Sequence, residues 1–125
     1  MSFDEPPSVI HSAPVRLYAM SGGSDAWTGT LTVFVDGKLL GPLPRLAICE
    51  DLLSSDFLLM YCDENWTPVG VTAGPSLNHV KGVAERAYLR LVDKWQEFRA
   101  RSDKELQEIK ERRLCLRRLD AEYPI

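Results

Sequence analysis

The feature that most constrains the fold of this chain is a periodic run of apolar residues in its second half. Between residues 77 and 98 these residues recur at spacings of three and four, which places them on one face of an α-helix. The stripe consists of Leu77, Val80, Ala84, Ala87, Tyr88, Leu91, Val92, Trp95 and Phe98. Ser76 directly precedes it and is a favourable N-cap residue. The pattern predicts a helix over residues 77–101 with one buried face.

Short β-branched and aromatic segments, separated by turn-forming residues, precede the predicted helix. The predicted strands are residues 15–20, 28–35, 56–62 and 66–72. Residues 46–53 fit either a strand or a single helical turn. Asp36-Gly37 predicts a tight hairpin, and Asp63-Glu64-Asn65 predicts the turn of a second one. We therefore expect an α+β fold, with an antiparallel sheet of about four or five strands packed by a long C-terminal helix.

Three regions follow from this pattern. Residues 1–14 contain three prolines and predict a flexible N-terminal tail, residues 15–101 form the α+β domain, and residues 102–125 form a helical extension. Ser102 and Glu105 have the spacing of a capping box, which favours a new helix there. If a new helix starts there, we expect the extension to fold back as a helical hairpin. Residues 99–119 hold no glycine, proline or asparagine for a tight turn, which favours one projecting helix and dimerisation through it.

Charge is distributed unevenly along a chain whose net charge is −3. Residues 1–80 carry a net charge of −6, whereas residues 81–118 carry +5. An acidic front half and a basic helical half predict an electrostatic contact, either within the chain, between subunits, or with an anionic partner.

Cysteine usage and hydropathy bear on location. The chain has three cysteines, Cys49, Cys62 and Cys115, with no CxxC pair, which favours free thiols in a reducing compartment. Its first residues lack the basic and apolar segments of a signal peptide, and its longest apolar run covers only residues 57–62. We expect a cytoplasmic protein that does not enter a membrane.

The residues that could perform chemistry do not form a recognised motif in the sequence. The two histidines, His11 and His79, have no paired ligand spacing, so no metal site is predicted. Cys49 and Cys62 are each followed by acidic residues, which raise a thiol pKa and disfavour a nucleophile. We therefore predict no catalytic residue and no cofactor, and expect both thiols in the core.

The candidate binding residues are aromatic and acidic side chains near loops and arginines near the C-terminus. They are Trp27, Asp63, Glu64, Trp66, Arg112, Arg113, Arg117 and Arg118. They indicate a non-enzymatic protein–protein interaction module of the adaptor, inhibitor or immunity type, homodimeric through its helices. Two alternatives stay open: a small ligand-binding domain or enzyme with a pocket between sheet and helix, and a nucleic-acid binder that uses the basic C-terminal helix.

Overall fold

The computed structural model describes residues 5–11, 13–21, 34–35, 38–39, 43–88, 90–98 and 101–122, with backbone alone for 34–35, 38–39 and 116–122. The strands are β1 (Val9–Ile10), β2 (Ala13–Met20), β3 (Phe34–Val35), β4 (Lys38–Leu39), β5 (Arg45–Glu50), β6 (Phe57–Cys62), β7 (Pro68–Gly74) and β8 (Gln96–Glu97). The helices are α1 (Leu77–Ala87) and α2 (Asp103–Glu122), with a single 3-10 turn at Leu91–Asp93.

The main sheet is antiparallel, which confirms the α+β prediction. Its strands follow the order β1-β2-β5-β6-β7, and β8 pairs with β2 on the same edge as β1. The region predicted as strand or helical turn is the strand β5. The predicted Asp36-Gly37 hairpin agrees with the pairing of β3 and β4, which leaves two residues between them. The remainder of the strand predicted over residues 28–35 lies outside the described residues.

Part of the segment expected to be a flexible tail belongs to the sheet. Val9 and Ile10 pair with Pro14 and Ala13 of β2. Ile10 is only 4% exposed and Ala13 only 3%. Apolar burial at these two positions offsets the loss of chain entropy, so this segment is ordered despite its prolines.

Two hydrophobic cores lie on opposite faces of the sheet. The first core lies under α1 and is made by Leu17, Ala19, Leu46, Ile48, Leu59, Tyr61, Val80, Ala84, Ala87, Tyr88 and Leu91. The second core is made by Ile10, Ala13, Val15, Tyr18, Ala47, Cys49, Met60, Cys62 and Trp66. Burial on both faces explains why β5 and β6 read as continuous apolar runs rather than as alternating patterns.

A β-bulge at Arg16 lets β2 contribute to both cores. Val15 pairs with Cys49, whereas Leu17 pairs with the adjacent residue Ile48, so Arg16 is the additional residue of the bulge. Val15 therefore enters the second core and Leu17 the first, although two residues on an unbroken strand would share a face. The side chain of Arg16 is left exposed, where it pairs with Glu50.

Helix α1 begins as predicted but ends much earlier. The hydroxyl of Ser76 accepts a hydrogen bond from the His79 N–H at 3.1 Å, which confirms the predicted N-cap. The helix stops at Ala87, because Tyr88 is extended and Arg90 is left-handed, with a φ of 62°. The Tyr88 hydroxyl accepts the backbone N–H of Leu43 at 2.9 Å, a contact between distant segments that helical periodicity does not encode.

The rest of the apolar stripe is therefore divided between the two faces of the sheet. Leu91 stays in the first core through the 3-10 turn, while Val92 is 61% exposed. Residues Gln96 and Glu97 then pair with β2, and Phe98 packs against the second core. The prediction of one helix over residues 77–101 is wrong, since these strand hydrogen bonds replace the helical ones.

Helix α2 starts at the predicted capping box. The Ser102 hydroxyl accepts the N–H of Glu105 at 3.2 Å. The helix then packs near β2, and Arg113 lies 3.8 Å from the carboxylate of Asp51, at the end of β5. The chain therefore breaks before residue 103, and the described first part of α2 returns to the sheet.

Two glycines, Gly82 inside α1 and Gly74 just before it, should respond in opposite ways to substitution by alanine. A Cβ at Gly82 would meet only a guanidinium nitrogen of Arg86, at an ordinary 3.7 Å, so Gly82→Ala should stabilise by up to about 1 kcal/mol. A Cβ at Gly74 would lie 2.7 Å from side-chain carbons of His79 and Val80, so Gly74→Ala should destabilise by about 1–3 kcal/mol. Urea unfolding of both variants measures the difference, and equal stabilities would contradict this packing.

Candidate functional site

The outward face of β7 exposes an apolar surface. Val69 and Val71 are 41% and 44% exposed, and Ala73 is also exposed. Val71 pairs with Met60 and Ala73 with Leu58, so both lie on the side of the second core. Val69 is the additional residue of a β-bulge, since Gly70 pairs with Tyr61 and Pro68 with Cys62. We call Val69, Val71 and Ala73 the β7 face.

The alternation of β7 is the reverse of what a helix-covered strand usually shows. The positions on the α1 side of β7 are occupied by small residues, Gly70, Thr72 and Gly74, whereas Val71 lies on the other side. Small residues are needed under α1, since a side chain at Gly74 would collide with Val80. The valines meet no such packing need, and exposed neighbouring apolar residues on a strand are typical of contact surfaces.

The stretch of sequence that contains β7 is uncharged. Residues 65–80 contain no aspartate, glutamate, lysine or arginine, although they belong to the acidic front half. Strands at sheet edges are commonly protected by charged side chains, and β7 has none. At the opposite edge of the sheet, β2 is covered by β1, β8 and the side chain of Arg101. The β3–β4 hairpin lies next to β7.

Of the two acidic residues predicted to bind a partner, Asp63 stabilises the turn between β6 and β7. The Asp63 carboxylate accepts the N–H of Asn65 at 2.9 Å and that of Thr67 at 3.0 Å. The Asp63 N–H in turn donates to the Thr67 carbonyl, closing the turn between β6 and β7. Glu64 is exposed at the tip of the turn. Of these two acidic residues, Glu64 is the one that presents its side chain outward.

Trp66 was predicted as a binding residue, but its side chain lies in the second core and is 2% exposed. A left-handed backbone, with a φ of 63°, turns it inward. Its ring meets that of Tyr18 edge to face, with centroids 5.8 Å apart, and the Arg45 guanidinium lies over it. In this arrangement Trp66 closes the end of the core and offers no surface to a partner. Trp27 lies outside the described residues.

The predicted basic cluster is not uniform. Arg112 is exposed, whereas Arg113 pairs with Asp51. Partial burial opposes ionisation of Asp51, but hydrogen bonds from the Leu53 N–H and from Ser54, with the nearby Arg113 charge, lower its pKa. The side chains of Arg117 and Arg118 lie outside the described part. Arg113 therefore anchors α2 to the β5–β6 turn, and nucleic-acid binding by this helix stays a prediction.

Two clefts flank Arg101 beside the start of α2. One, of about 390 Å³, is lined by Arg16, Leu77, Phe98 and Leu106 among others. The second, of about 340 Å³, lies between α2 and Ser8. By contrast, α1 residues that face the sheet, such as Val80 and Ala84, are fully buried. Both of these clefts thus lie beside α2, and the alternative of a ligand-binding pocket between sheet and helix stays a prediction.

Cys49 and Cys62 are free, buried and unsuited to nucleophilic chemistry. Burial, with a smaller contribution from Asp63, raises the pKa of the Cys62 thiol to about 12. Burial also raises the pKa of Cys49, mainly by removing the thiol from water. Cys115 is exposed. The prediction that Cys49 and Cys62 are core residues is confirmed, with burial as the main cause of the shift rather than the acidic neighbours.

Thiol labelling should therefore distinguish the three cysteines. With Ellman's reagent at pH 8, the folded protein should release one equivalent of thiolate rapidly, from Cys115, and all three after unfolding in denaturant. Cys115→Ser should remove the rapid phase and leave the slow one unchanged. Rapid reaction of two or more thiols in the folded protein would contradict the burial of the two core cysteines.

Comparisons with protein-family models, curated proteins and solved structures found no significant match. Among the described residues, no three histidine, cysteine, aspartate or glutamate side chains come together as a metal site would require. None of the described helices is sufficiently long and apolar to span a membrane. The β7 face therefore stands as the candidate site on its own geometry. Sequence analysis missed it, although the alternation of valines with small residues in an uncharged stretch was a signal for it.

Proposed function

We propose that this chain is a non-enzymatic protein–protein interaction module that forms a homodimer. The observation that carries the proposal is the β7 face, where Val69 and Val71 are exposed and belong to neither core. Apolar residues kept at the surface in an uncharged stretch of sequence fit a contact with another protein. The free thiols of Cys49 and Cys62 support the cytoplasmic location included in the proposal.

The β7 face supports the partner contact better than the helices do. On the described part of α2, the apolar residues Leu106 and Ile109 are half-buried and line the two clefts beside Arg101. Its exposed positions are mostly charged, with Leu114 as the one large apolar exception among the described side chains. A dimer through the described part of α2 would need a larger apolar face.

The proposed function is tested by affinity enrichment of tagged protein from its native host. Val71→Lys places a charge on the β7 face, and Val92→Lys places the same charge on an exposed valine of the 3-10 turn. We expect a protein partner to be recovered with the native chain and with Val92→Lys, and at least tenfold less with Val71→Lys. Equal recovery by all three proteins would overturn the proposal.

A second candidate function is the binding of a small ligand in the cleft beside Arg101. Its volume of about 390 Å³ lies in the range of small-molecule sites, and its lining combines the apolar Phe98 and Leu106 with guanidinium groups. Native mass spectrometry of the same enriched samples distinguishes small-ligand binding from protein–protein interaction. A bound small molecule that Val71→Lys retains and Leu106→Glu loses would favour ligand binding. Recovery of nucleic acid that decreases with added salt would instead favour nucleic-acid binding by the basic C-terminal helix.

A further inference from the structure

We propose that α2 is a hinged helix that undocks from the sheet while the sheet stays folded, and that the ion pair between Arg113 and Asp51 holds it closed. The inference goes beyond the proposed function and is independent of it, since it concerns neither the β7 face nor its partner. The device is a conformational switch between a closed state, with α2 docked, and an open one. Three features of the described part of α2 support it.

The first feature is the shallow burial of α2. Within residues 103–115, the part of α2 whose side chains the structure describes, no residue is fully buried. Leu106 and Ile109 are half-buried, and Leu114 is exposed. In α1, by contrast, Val80 and Ala84 are fully buried against the sheet. Because hydrophobic stabilisation scales with the apolar area removed from water, α2 should open at a lower free energy than the sheet unfolds.

The second feature is the placement of two polar attachments at separate points along the helix. Directly before α2, Arg101 donates hydrogen bonds to the backbone carbonyls of Val15 and Ser8. Further along, a guanidinium nitrogen of Arg113 lies 3.8 Å from a carboxylate oxygen of Asp51. The helix rises about 15 Å from its start to Arg113, at 1.5 Å per residue. Loss of the second attachment therefore allows α2 to turn about the first, which stays in place.

The third feature is the open space beside α2 between these attachments. The two clefts of about 390 and 340 Å³ flank Arg101, and Leu106 lines one while Ile109 lines the other. Side chains that border such space have fewer neighbouring atoms, so they gain less from dispersion than those of a close-packed core. Because both clefts have a wall on α2, its undocking would open both of them at once.

The ion pair is suited to control this opening because it can be weakened without disturbing either core. It joins the basic half of the chain, residues 81–118 with a net charge of +5, to the acidic residues 1–80 with a net charge of −6. The side chain of Arg113 is 38% exposed and that of Asp51 is 16% exposed. A pair with this exposure changes an equilibrium constant by up to about fivefold and is weakened by salt.

The first test is hydrogen exchange of the full chain, measured for the backbone amides of residues 106–115 and of the β5–β6 pairing. Arg113→Gln should increase the open fraction and so speed exchange of the α2 amides about two- to fivefold, with β5–β6 unchanged. Arg112→Gln is the matched control on an exposed neighbour and should change neither. Asp51→Asn, which keeps an acceptor for the Leu53 N–H, should speed the same α2 amides although it lies outside the helix.

Two further measurements separate loss of the ion pair from a general effect. Arg113→Gln combined with Asp51→Asn should exchange no faster than either single variant, because each one already removes the pair. At about 1 M salt, where the screening length is about 3 Å, the native chain should approach the exchange rate of Arg113→Gln. The inference is overturned if Asp51→Asn leaves α2 exchange unchanged, or if it speeds β5–β6 exchange to the same extent.

A distance measurement provides a second readout that distinguishes undocking of α2 from fraying within it. Spin labels are placed on the native Cys115 of α2, which is exposed, and on Glu64→Cys at the tip of the β6–β7 turn. Double electron–electron resonance should give one main distance for this protein. Adding Arg113→Glu, which puts a like charge beside Asp51, should produce a second distance, whereas adding Arg112→Glu should not. One distance common to all three proteins, or a broad distribution before either change is added, overturns the inference.

Discussion

Replacing Trp66 by alanine should lower the free energy of unfolding by about 3–5 kcal/mol, the usual cost of removing a fully buried large aromatic side chain. The indole is 2% exposed and closes one end of the second core. Its removal also eliminates the edge-to-face contact with Tyr18 and the cation–π contact with Arg45. Urea unfolding followed by circular dichroism measures the change.

A matched substitution in the same turn separates burial from position. Glu64 is exposed two residues earlier, so Glu64→Ala should change stability by no more than about 0.5 kcal/mol. If Trp66 instead acted in partner binding, its replacement would reduce dimer formation while leaving unfolding unchanged. A loss of less than about 1 kcal/mol for Trp66→Ala would contradict its place in the core.

The elements that sequence analysis predicted correctly depend on local interactions. The strands β2, β6 and β7 carry β-branched and aromatic residues between turn formers, and their bounds differ from prediction by about two residues. The N-cap at Ser76 and the new start at Ser102 use side chains within three residues of the groups they bond. Such signals are complete within a short stretch of chain, so they can be recognised without the fold.

The helix predicted over residues 77–101 was wrong for a non-local reason. Periodicity from Leu91 to Phe98 is compatible with one helical face, yet Phe98 packs on the opposite side of the sheet from Leu91. The backbone of Phe98 donates to the Arg16 carbonyl, a partner 82 residues earlier in the sequence. Strand pairing across such a separation competes with helix formation, and a helical pattern by itself gives no information about it.

The candidate site was harder to predict than the fold because exposure is a property of packing. Trp66 and Val71 both lie in the predicted hairpin, and an aromatic residue beside a turn was the more obvious binding candidate. The left-handed conformation of Trp66 directs the indole inward, so Trp66 is buried and Val71 is the exposed residue. Val71 remains outside because α1 covers the other face of β7. Neither fact can be obtained from residue types alone.

Replacing Arg101 by alanine should destabilise the protein by about 2–3 kcal/mol, the second large effect that the structure predicts. Its guanidinium donates to the carbonyl of Val15 at 2.7 Å and to that of Ser8, and it lies 4.5 Å from the ring centroid of Phe98. One side chain thus connects the segment before β1, the start of β2 and the residue after β8. The planar fork of arginine makes both bonds at once, so Arg101→Lys should restore less than half of the lost stability.

The local consequence can be measured by hydrogen exchange. The Val15 N–H donates to the Ser8 carbonyl at 3.1 Å, and Arg101 binds the same Ser8 oxygen. Loss of Arg101 should therefore speed exchange of the Val15 amide more than that of amides in the β5–β6 pairing, because its hydrogen bonds end on the Val15 and Ser8 carbonyls. Arg112→Ala, which removes an exposed arginine of α2, should change neither stability nor exchange. Equal stability and equal amide exchange in Arg101→Ala and Arg112→Ala would contradict the role of Arg101 in stabilising the outer edge of β2.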